Sequence, residues 1–323
     1  MTRHIIFAHH LSGDQRGVTI APDDIVAALR DPAPAWLHLQ ADAPESVSWI
    51  DEHLHYLDPA IRAALTEPET RPRAVKAGKG VLLFLRGINL NAGADPEDMV
   101  SLRIYADSAQ IVSLSRRSLR TVDTLARRIE EGEGPETAGG LIADFIEELT
   151  SRIETQVTDL ENRTEVLEAA VIEAPLAEHS SEVTDQRLEL ADLRRFLPAQ
   201  RDAVKDMVRM DTDLLGTAQR VSIDEQQHQL VRVVETLDAL REQLSAIRSE
   251  IDGARDERLN RNLYVLSVIS AVFLPLGFMT GLMGINVAGM PGEHWPPAFW
   301  VFSFGMAVLG AGVLVILKFL RIL

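Results

Sequence analysis

Two stretches near the C-terminal end, residues 263–283 and 298–317, contain no charged side chain. An apolar run of about 20 residues crosses the ~30 Å hydrocarbon core of a bilayer as a helix, so the pattern predicts two membrane spans. Upstream of the first span, apolar or alanine side chains fall at Leu230, Val233, Leu237, Leu240, Leu244, Ile247, Ile251 and Ala254. The steps alternate between three and four, a sustained heptad stripe. No proline interrupts residues 217–274. One helix therefore runs from the heptads into the first span; from residue 224 to 283 it is about 90 Å long at ~1.5 Å per residue. A stalk of that length needs helical partners. Homo-oligomerisation supplies them economically, and packing against the chain's own earlier helices is the alternative.

Those earlier helices are legible by the same period. Residues 141–171 are expected to place Ile142, Phe145, Ile146, Leu149, Ile153, Val157, Leu160, Val166 and Leu167 on one stripe. Pro175 breaks this helix. A second follows over 176–210, with Pro198 expected to kink it, and Gly216 punctuates again. Residues 1–135 read as mixed α and β. Short apolar runs at 35–40, 81–89, 99–105 and 110–114 predict strands, the last two as a hairpin about a turn at 106–109. Helical pieces lie between them at 23–30, 46–55, 59–65 and 119–130. Breaks fall at 31–34, 68–72 and 91–96, and the Gly- and Pro-bearing stretch 131–135 marks a boundary.

The expected organisation is an α+β cytoplasmic domain over 1–135 and a helical hairpin over 136–216. A stalk helix over 217–262 leads into a first transmembrane helix over 263–283. An outer loop at 284–297 and a second transmembrane helix at 298–318 complete it. Residues 1–25 carry Arg3, Asp14, Arg16, Asp23 and Asp24 and no apolar run of signal-peptide length, so no export leader is expected.

Charge sharpens this division. After residue 260 the only formal charges are Arg261, Glu293, Lys318 and Arg321, so the first 260 residues hold 29 of the 32 basic and 47 of the 48 acidic residues, a net of −18. An acidic body suits cations and is the wrong sign for nucleic acid. Aromatic content of 5% argues against base-stacking platforms. The absence of cysteine excludes disulfides, thiol nucleophiles, thiolate zinc sites and iron–sulfur clusters. Arg255, Arg258 and Arg261 precede the first span, Lys318 and Arg321 follow the second, and the loop between has neither lysine nor arginine. The positive-inside rule then places both termini in the cytoplasm of a multi-pass inner (plasma) membrane protein. Trp295, Phe299 and Trp300 suit an aromatic belt at the far interface.

Two spans cannot enclose a polar pathway, so a pore requires several copies about an axis. The first span carries the small and polar positions. Ser267, Ser270, Leu274, Gly277, Gly281 and Gly284 form one stripe, with Pro275 among them. Such a stripe serves either a lumen or close helix packing. With no ionisable side chain in the spans, a cation would meet hydroxyls, carbonyls and water, which suits a hydrated ion.

The segment FLPLGFMTGLMGIN at 273–286 resembles the pore helix and terminal motif of the CorA family of divalent-cation transporters. That family's Gly-Met-Asn motif stands here as Gly284, Ile285 and Asn286. An aliphatic middle residue is similar to the ZntB-like, zinc-transporting branch. TRPR at 70–73, LRGIN at 85–89, GADPEDMVSLR at 93–103 and LRRFLPAQR at 193–201 resemble the same branch.

The resemblance implies a CorA-like homopentameric funnel, with Gly284, Ile285 and Asn286 as the outer selectivity ring. It implies a pore lined by Leu263, Leu266, Ser267, Ser270, Leu274, Gly277 and Gly281, the leucines forming hydrophobic constrictions. An amide at Asn286 suits a hydrated ion because it can hydrogen-bond the water shell. Where the magnesium branch often has threonine, this chain has Gly277. The second GIN, at 87–89, ends an apolar strand without an adjacent span and is assigned no transport role.

Other metal-ligand candidates are sparse. His53 and His55 point apart on a helix, and His9 and His10 are the other tight pair. Glu293 and His294 in the outer loop would repeat as a carboxylate and imidazole ring at a pore mouth, a possible metal-concentrating, pH-sensitive feature. Asp211, Asp213 and Gly216 lack the remaining oxygens of a calcium loop.

The leading expectation is an inner-membrane divalent-cation transporter, with Zn²⁺ as the cargo. Mg²⁺, Co²⁺, Ni²⁺ and Cd²⁺ are the alternatives. No cofactor, enzymatic activity or nucleic-acid partner is expected; the expected partners are further copies of the chain and the lipid bilayer. A two-span coiled-coil signalling or scaffold protein is the reading from a different class, weakened by an outer loop of only 14 residues. Proton coupling, if present, would need a route other than a buried carboxylate relay.

Overall fold

The computed structural model describes residues 4–68, 70–175, 178–285, 292 and 294–319. Residues 4–174 and 178–248 form one compact body; residue 175 and the described residues from Ser249 onward belong to a second.

The first body is built on a six-stranded sheet in the order β1-β2-β6-β5-β4-β3. The strands are β1 (Ile5–His10), β2 (Ala35–Gln40), β3 (Arg73–Ala77), β4 (Gly80–Gly87), β5 (Val100–Ala106) and β6 (Gln110–Ser115). β2 and β6 are parallel, and every other pair is antiparallel. The four expected strands are present, including the β5–β6 hairpin. β1 and β3, which the apolar runs do not predict, close the two edges. β3 and β4 join through residues 78 and 79, where Gly78 takes φ +64°, the left-handed conformation a two-residue hairpin turn requires.

Both faces of the sheet are covered. One carries α1 (Ile25–Ala28), α2 (Pro44–His53) and α3 (Pro59–Thr66) over Leu37, Leu39, Phe84, Val112 and Leu114. The other carries α4 (Arg120–Glu130) and the start of α5 (Ala138–Glu173) over Leu83, Leu85, Leu102 and Ile104. Alternation along β5 explains the division. Leu102 and Ile104 meet the α5 side, while Tyr105 packs on the α2–α3 side. Trp36 anchors the centre, edge-on to Phe145 at 5.4 Å and to Phe7 at 4.7 Å. Gly87, in the second GIN, sits so close to α5 that a Cβ there would lie 2.6 Å from a Leu149 methyl. Asn89 is buried, its side-chain oxygen accepting from Asn91 Nδ2 at 2.7 Å. This tripeptide is part of the packed core.

Beyond the sheet, α5, α6 (His179–Arg209) and the first part of α7 (Thr217–Met283) form a three-helix layer. Pro198 lies inside α6, as expected. Val166, expected on the inward stripe of α5, instead points outward, 70% exposed. Polar pairs fix the helix directions. Gln229 donates to Glu154 and Gln243 to Glu168, both across 75 residues, so α5 and α7 run parallel in constant register. Thr164 meets Gln186 and Arg163 meets Glu189, while Arg194 pairs with Asp238 at 2.7 Å, so α6 runs antiparallel to both. The heptad residues Leu230, Val233, Leu237, Leu240, Leu244 and Ile247 are all buried within this single chain. Intramolecular packing, the alternative left open by the sequence, therefore consumes this part of the stripe.

One buried titratable group gives the first body a pH dependence. His38 on β2 is enclosed, with Nδ1 2.8 Å from Ser113 Oγ and Nε2 3.2 Å from Ser115 Oγ. Burial lowers its pKa from 6.5 to about 3, against a smaller opposing hydrogen-bond effect from Ser113. Burial lowers that of His9 as well, opposed by Glu130, whose Oε1 lies 3.3 Å from its Nε2. Above pH 6.5 folded and unfolded chains are both neutral at His38. Below it only the unfolded chain takes the proton, so stability falls as pH drops from 6.5 toward 3. Denaturant unfolding of the detergent-solubilised protein at pH 7 and pH 5 should show a loss of about 2 kcal/mol from this residue. A His38→Gln variant should lack that component; an unchanged pH slope in the variant would contradict the assignment.

Candidate ion pathway

Among the described residues, the last third of α7 and α8 (Ala298–Phe319) are the two helical segments apolar and long enough to cross a membrane. They pack on each other through one face. Leu276 Cδ1 lies 3.6 Å from where a Cβ on Gly310 would stand, and Leu276, Thr280 and Met306 border a shared hollow. On α7 the half-covered positions are Val268, Val272, Pro275, Leu276 and Met279. With about 100° of rotation per residue, these share one side of the helix.

The predicted stripe lies on the opposite side. Leu263, Leu266, Ser267, Ser270, Leu274, Gly277 and Gly281 are all exposed. The exposed fraction is 60% for Leu263 and Leu266 and 78% for Leu274. Gly277 stands at the margin of the stripe. It borders the hollow facing α8 and also an open hollow with Ser270 and Leu274. Phe273 and Phe278 flank the open hollow and were not among the expected residues. Their 67% and 69% exposure places two large aromatic rings beside the stripe. The Thr280 hydroxyl, by contrast, donates to the Leu276 and Gly277 carbonyls at 3.0 Å, so the helix itself satisfies it.

α7 ends at Met283. Gly284 N donates to the Thr280 carbonyl at 3.0 Å, closing the last turn, and Ile285 follows, half exposed. Asn286 and Glu293 lie outside the described residues; His294 is described and exposed. The motif thus begins where helical hydrogen bonding stops and backbone carbonyls lose their intrahelical donors. Phe299 and Trp300 stand at the start of α8 with their rings 5.6 Å apart, edge to face.

The soluble histidines do not converge. His53 contacts Trp49, His55 faces the Glu52 carbonyl, and His9 is buried beside Glu130. No group of three or more metal-ligating side chains occurs among the described residues. The arrangement is therefore a large α+β body, a long helix and a second apolar helix of membrane-spanning length, with the predicted stripe among the α7 residues that α8 leaves exposed.

The family model described as "CorA-like Mg2+ transporter protein" matches residues 32–318, and the chain belongs to that family. The divalent cation transporter CmaX of Pseudomonas aeruginosa is 34% identical over 302 residues, covering 93% of this chain and 91% of that protein. The zinc transport protein ZntB of Pectobacterium atrosepticum is 32% identical over 308 residues, covering 95% and 93%. The solved structure of full-length CmaX matches at a TM-score of 0.84 with 32% identity, over 99% of this chain and 98% of that one. The CorA magnesium transporter of Methanocaldococcus jannaschii shares the fold at a TM-score of 0.76 and 16% identity, covering 98% of each chain.

Proposed function

We propose that this chain is a zinc-transporting member of its family, working as a homopentamer whose pore is lined by the last third of α7. The observation that carries the reading is the separation of faces on that helix. α8 covers one side, and the serines, glycines and leucines of the predicted stripe occupy the other. A polar and small-residue face left uncovered in a bilayer needs further copies to surround it. In that assembly Gly284, Ile285 and Asn286 form the outer ring. Ser267 and Ser270 supply hydroxyls, and Leu263, Leu266 and Leu274 supply narrow apolar rings that control wetting.

Zinc is favoured over magnesium by Ile285 at the middle of the motif and by the similarity to ZntB. Magnesium, cobalt or nickel transport is the second reading, favoured by the description of the family model. Both termini face the cytoplasm of the inner membrane on this proposal, because arginine and lysine flank the spans on one side alone. On this proposal the sequence neighbours Glu293 and His294 belong to the outer mouth, where five copies would concentrate cations.

Ion flux into proteoliposomes containing the purified protein tests the reading, with Zn²⁺ and Mg²⁺ compared, with and without an imposed pH gradient. Zn²⁺ flux should exceed Mg²⁺ flux, and Asn286→Ala should reduce it by at least about tenfold. That corresponds to ~1.4 kcal/mol, little more than one net hydrogen bond lost around the ion's water shell. Dominant Mg²⁺ flux would assign the chain to the magnesium branch. No flux of either ion from folded protein would remove the transport reading.

A further inference from the structure

The four soluble segments singled out by resemblance, which the transport pathway does not use, converge on one cavity. It has a volume of ≈ 730 Å³ and lies wholly within the first body. Residues from 68–73, 86, 97–103 and 192–196 line it, joined by Arg116 and Arg117 after β6. Seven of the lining side chains are arginines and three are carboxylates. This local excess of positive charge stands in a chain whose net charge is −16.

The base of the cavity is built from buried polar groups. Arg103 on β5 is 1% exposed. Its Nη1 donates to the Leu65 carbonyl at 3.0 Å and its Nη2 to that of Pro68 at 3.4 Å, while its buried Nε has no protein partner. Beside it the buried hydroxyls of Thr70 and Ser101 meet at 2.7 Å. One wall is held in place by Arg86, which donates to the Thr70 and Met99 carbonyls and lies 4.3 Å over the Phe196 ring.

At the rim, Arg117 is paired with Asp98 and Arg73 with Glu67. Arg71 and Arg116 are exposed and, among the described residues, have no carboxylate partner. The positive field is strong enough that Arg116 and Arg86 add to burial in lowering the Arg103 pKa to about 10. A buried guanidinium with an unpartnered N–H, repelled by Arg116 and Arg86 and only partly offset by Glu67, gains from an anion that compensates it.

We propose that this cavity binds a soluble phosphate-bearing small molecule of nucleotide size. Arginine forks match phosphate oxygens in pairs. The Thr70–Ser101 pair, in which one hydroxyl donates to the other, leaves one neutral O–H to donate. The volume falls within the ~300–1,000 Å³ of small-molecule sites and exceeds what a single inorganic anion fills. The site is independent of the ion pathway and of which cation the protein carries.

The test is calorimetric titration of the full-length protein in detergent, in metal-free buffer, with inorganic pyrophosphate and with ADP as probes. Both should bind saturably, and the double variant Arg71→Ala/Arg116→Ala should bind at least about tenfold more weakly (~1.4 kcal/mol). Because both side chains are exposed and Arg116 repels the buried Arg103, the melting temperature of the ligand-free protein should not fall. An Arg73→Lys variant should retain binding more fully than the double variant. Absence of saturable binding by the wild type, or equal binding by the double variant, would overturn the proposal. So would a change in oligomer size in the double variant without any pyrophosphate binding, since the arginines would then be meeting acidic side chains of another copy.

Discussion

Single cysteines placed at Ser267, Ser270 and Leu274 are expected to react with a water-soluble thiol reagent, and the reaction should cut cation flux by about tenfold or more. Cysteines at Val268, Val272 and Met279 should neither react nor block. The contrast follows from the two faces of α7. The first three residues are on the exposed stripe, and the second three are half covered on the side turned to α8. The thiolate is what attacks a thiol reagent, and it forms where water reaches the sulfur and not where a thiol is packed in apolar surroundings. The wild-type chain contains no cysteine, so every modification reports the introduced residue. Because neighbouring residues are separated by about 100° of rotation, a lining face must give a pattern with helical period. Reaction at 268 and 272 with none at 267, 270 and 274 would place the pathway on the wrong side of the helix. Uniform silence at all six would leave α7 without an aqueous face.

The two halves of the molecule were legible to different degrees. The long helices declared themselves because one period, three and four, ran for many turns and was punctuated by Pro175 and Gly216. The spans were legible because charge stops at Arg261. The sheet was only partly readable. β2, β4, β5 and β6 are buried on both faces and show as apolar runs. β3 reads RAVKA, with Val75 and Lys76 exposed and only Ala77 buried, so an edge strand left no apolar run to find. β1 ends in two histidines, of which His9 is buried, and so it disguises an inward position as a polar one. The exposed stripe of α7 was legible because its residues are consecutive turns of one helix. The arginine-lined cavity was not, because its parts come from five places between residues 68 and 196 and meet only through the sheet order and α6.

The heptads show how one sequence pattern can leave two structures open. A stripe from Leu230 to Ile247 satisfies a seam between copies as well as a seam within one chain. What decides is the supply of facing stripes. α5 offers Ile153, Val157, Leu160, Leu167 and Val171, and α6 offers Val183, Leu190, Leu193 and Leu197, all buried. Three stripes of similar length close on one another, and the constant offset of 75 residues between α5 and α7 keeps the layers in step over 14 residues. An oligomer of this protein must therefore draw its cohesion from surfaces other than these residues.

Leu237→Asp is accordingly expected to unfold the first body. Leu237 is 1% exposed at the middle of the three-helix layer. The substitution removes about 2–3 kcal/mol of apolar burial and places a carboxylate at a buried position, costing several kcal/mol more. The sum is comparable with the ~5–15 kcal/mol that holds a typical domain together. Leu237→Ala should cost less, about 2–5 kcal/mol, and should yield folded protein with a lowered melting temperature. Circular dichroism melts and light scattering on the detergent-solubilised variants distinguish the two seams. If the stripe lay between copies, Leu237→Asp would reduce the oligomer size while each chain kept its melting transition. If it lies within the chain, the transition itself must fall or vanish, and the alanine variant must show the same loss in smaller measure at unchanged oligomer size.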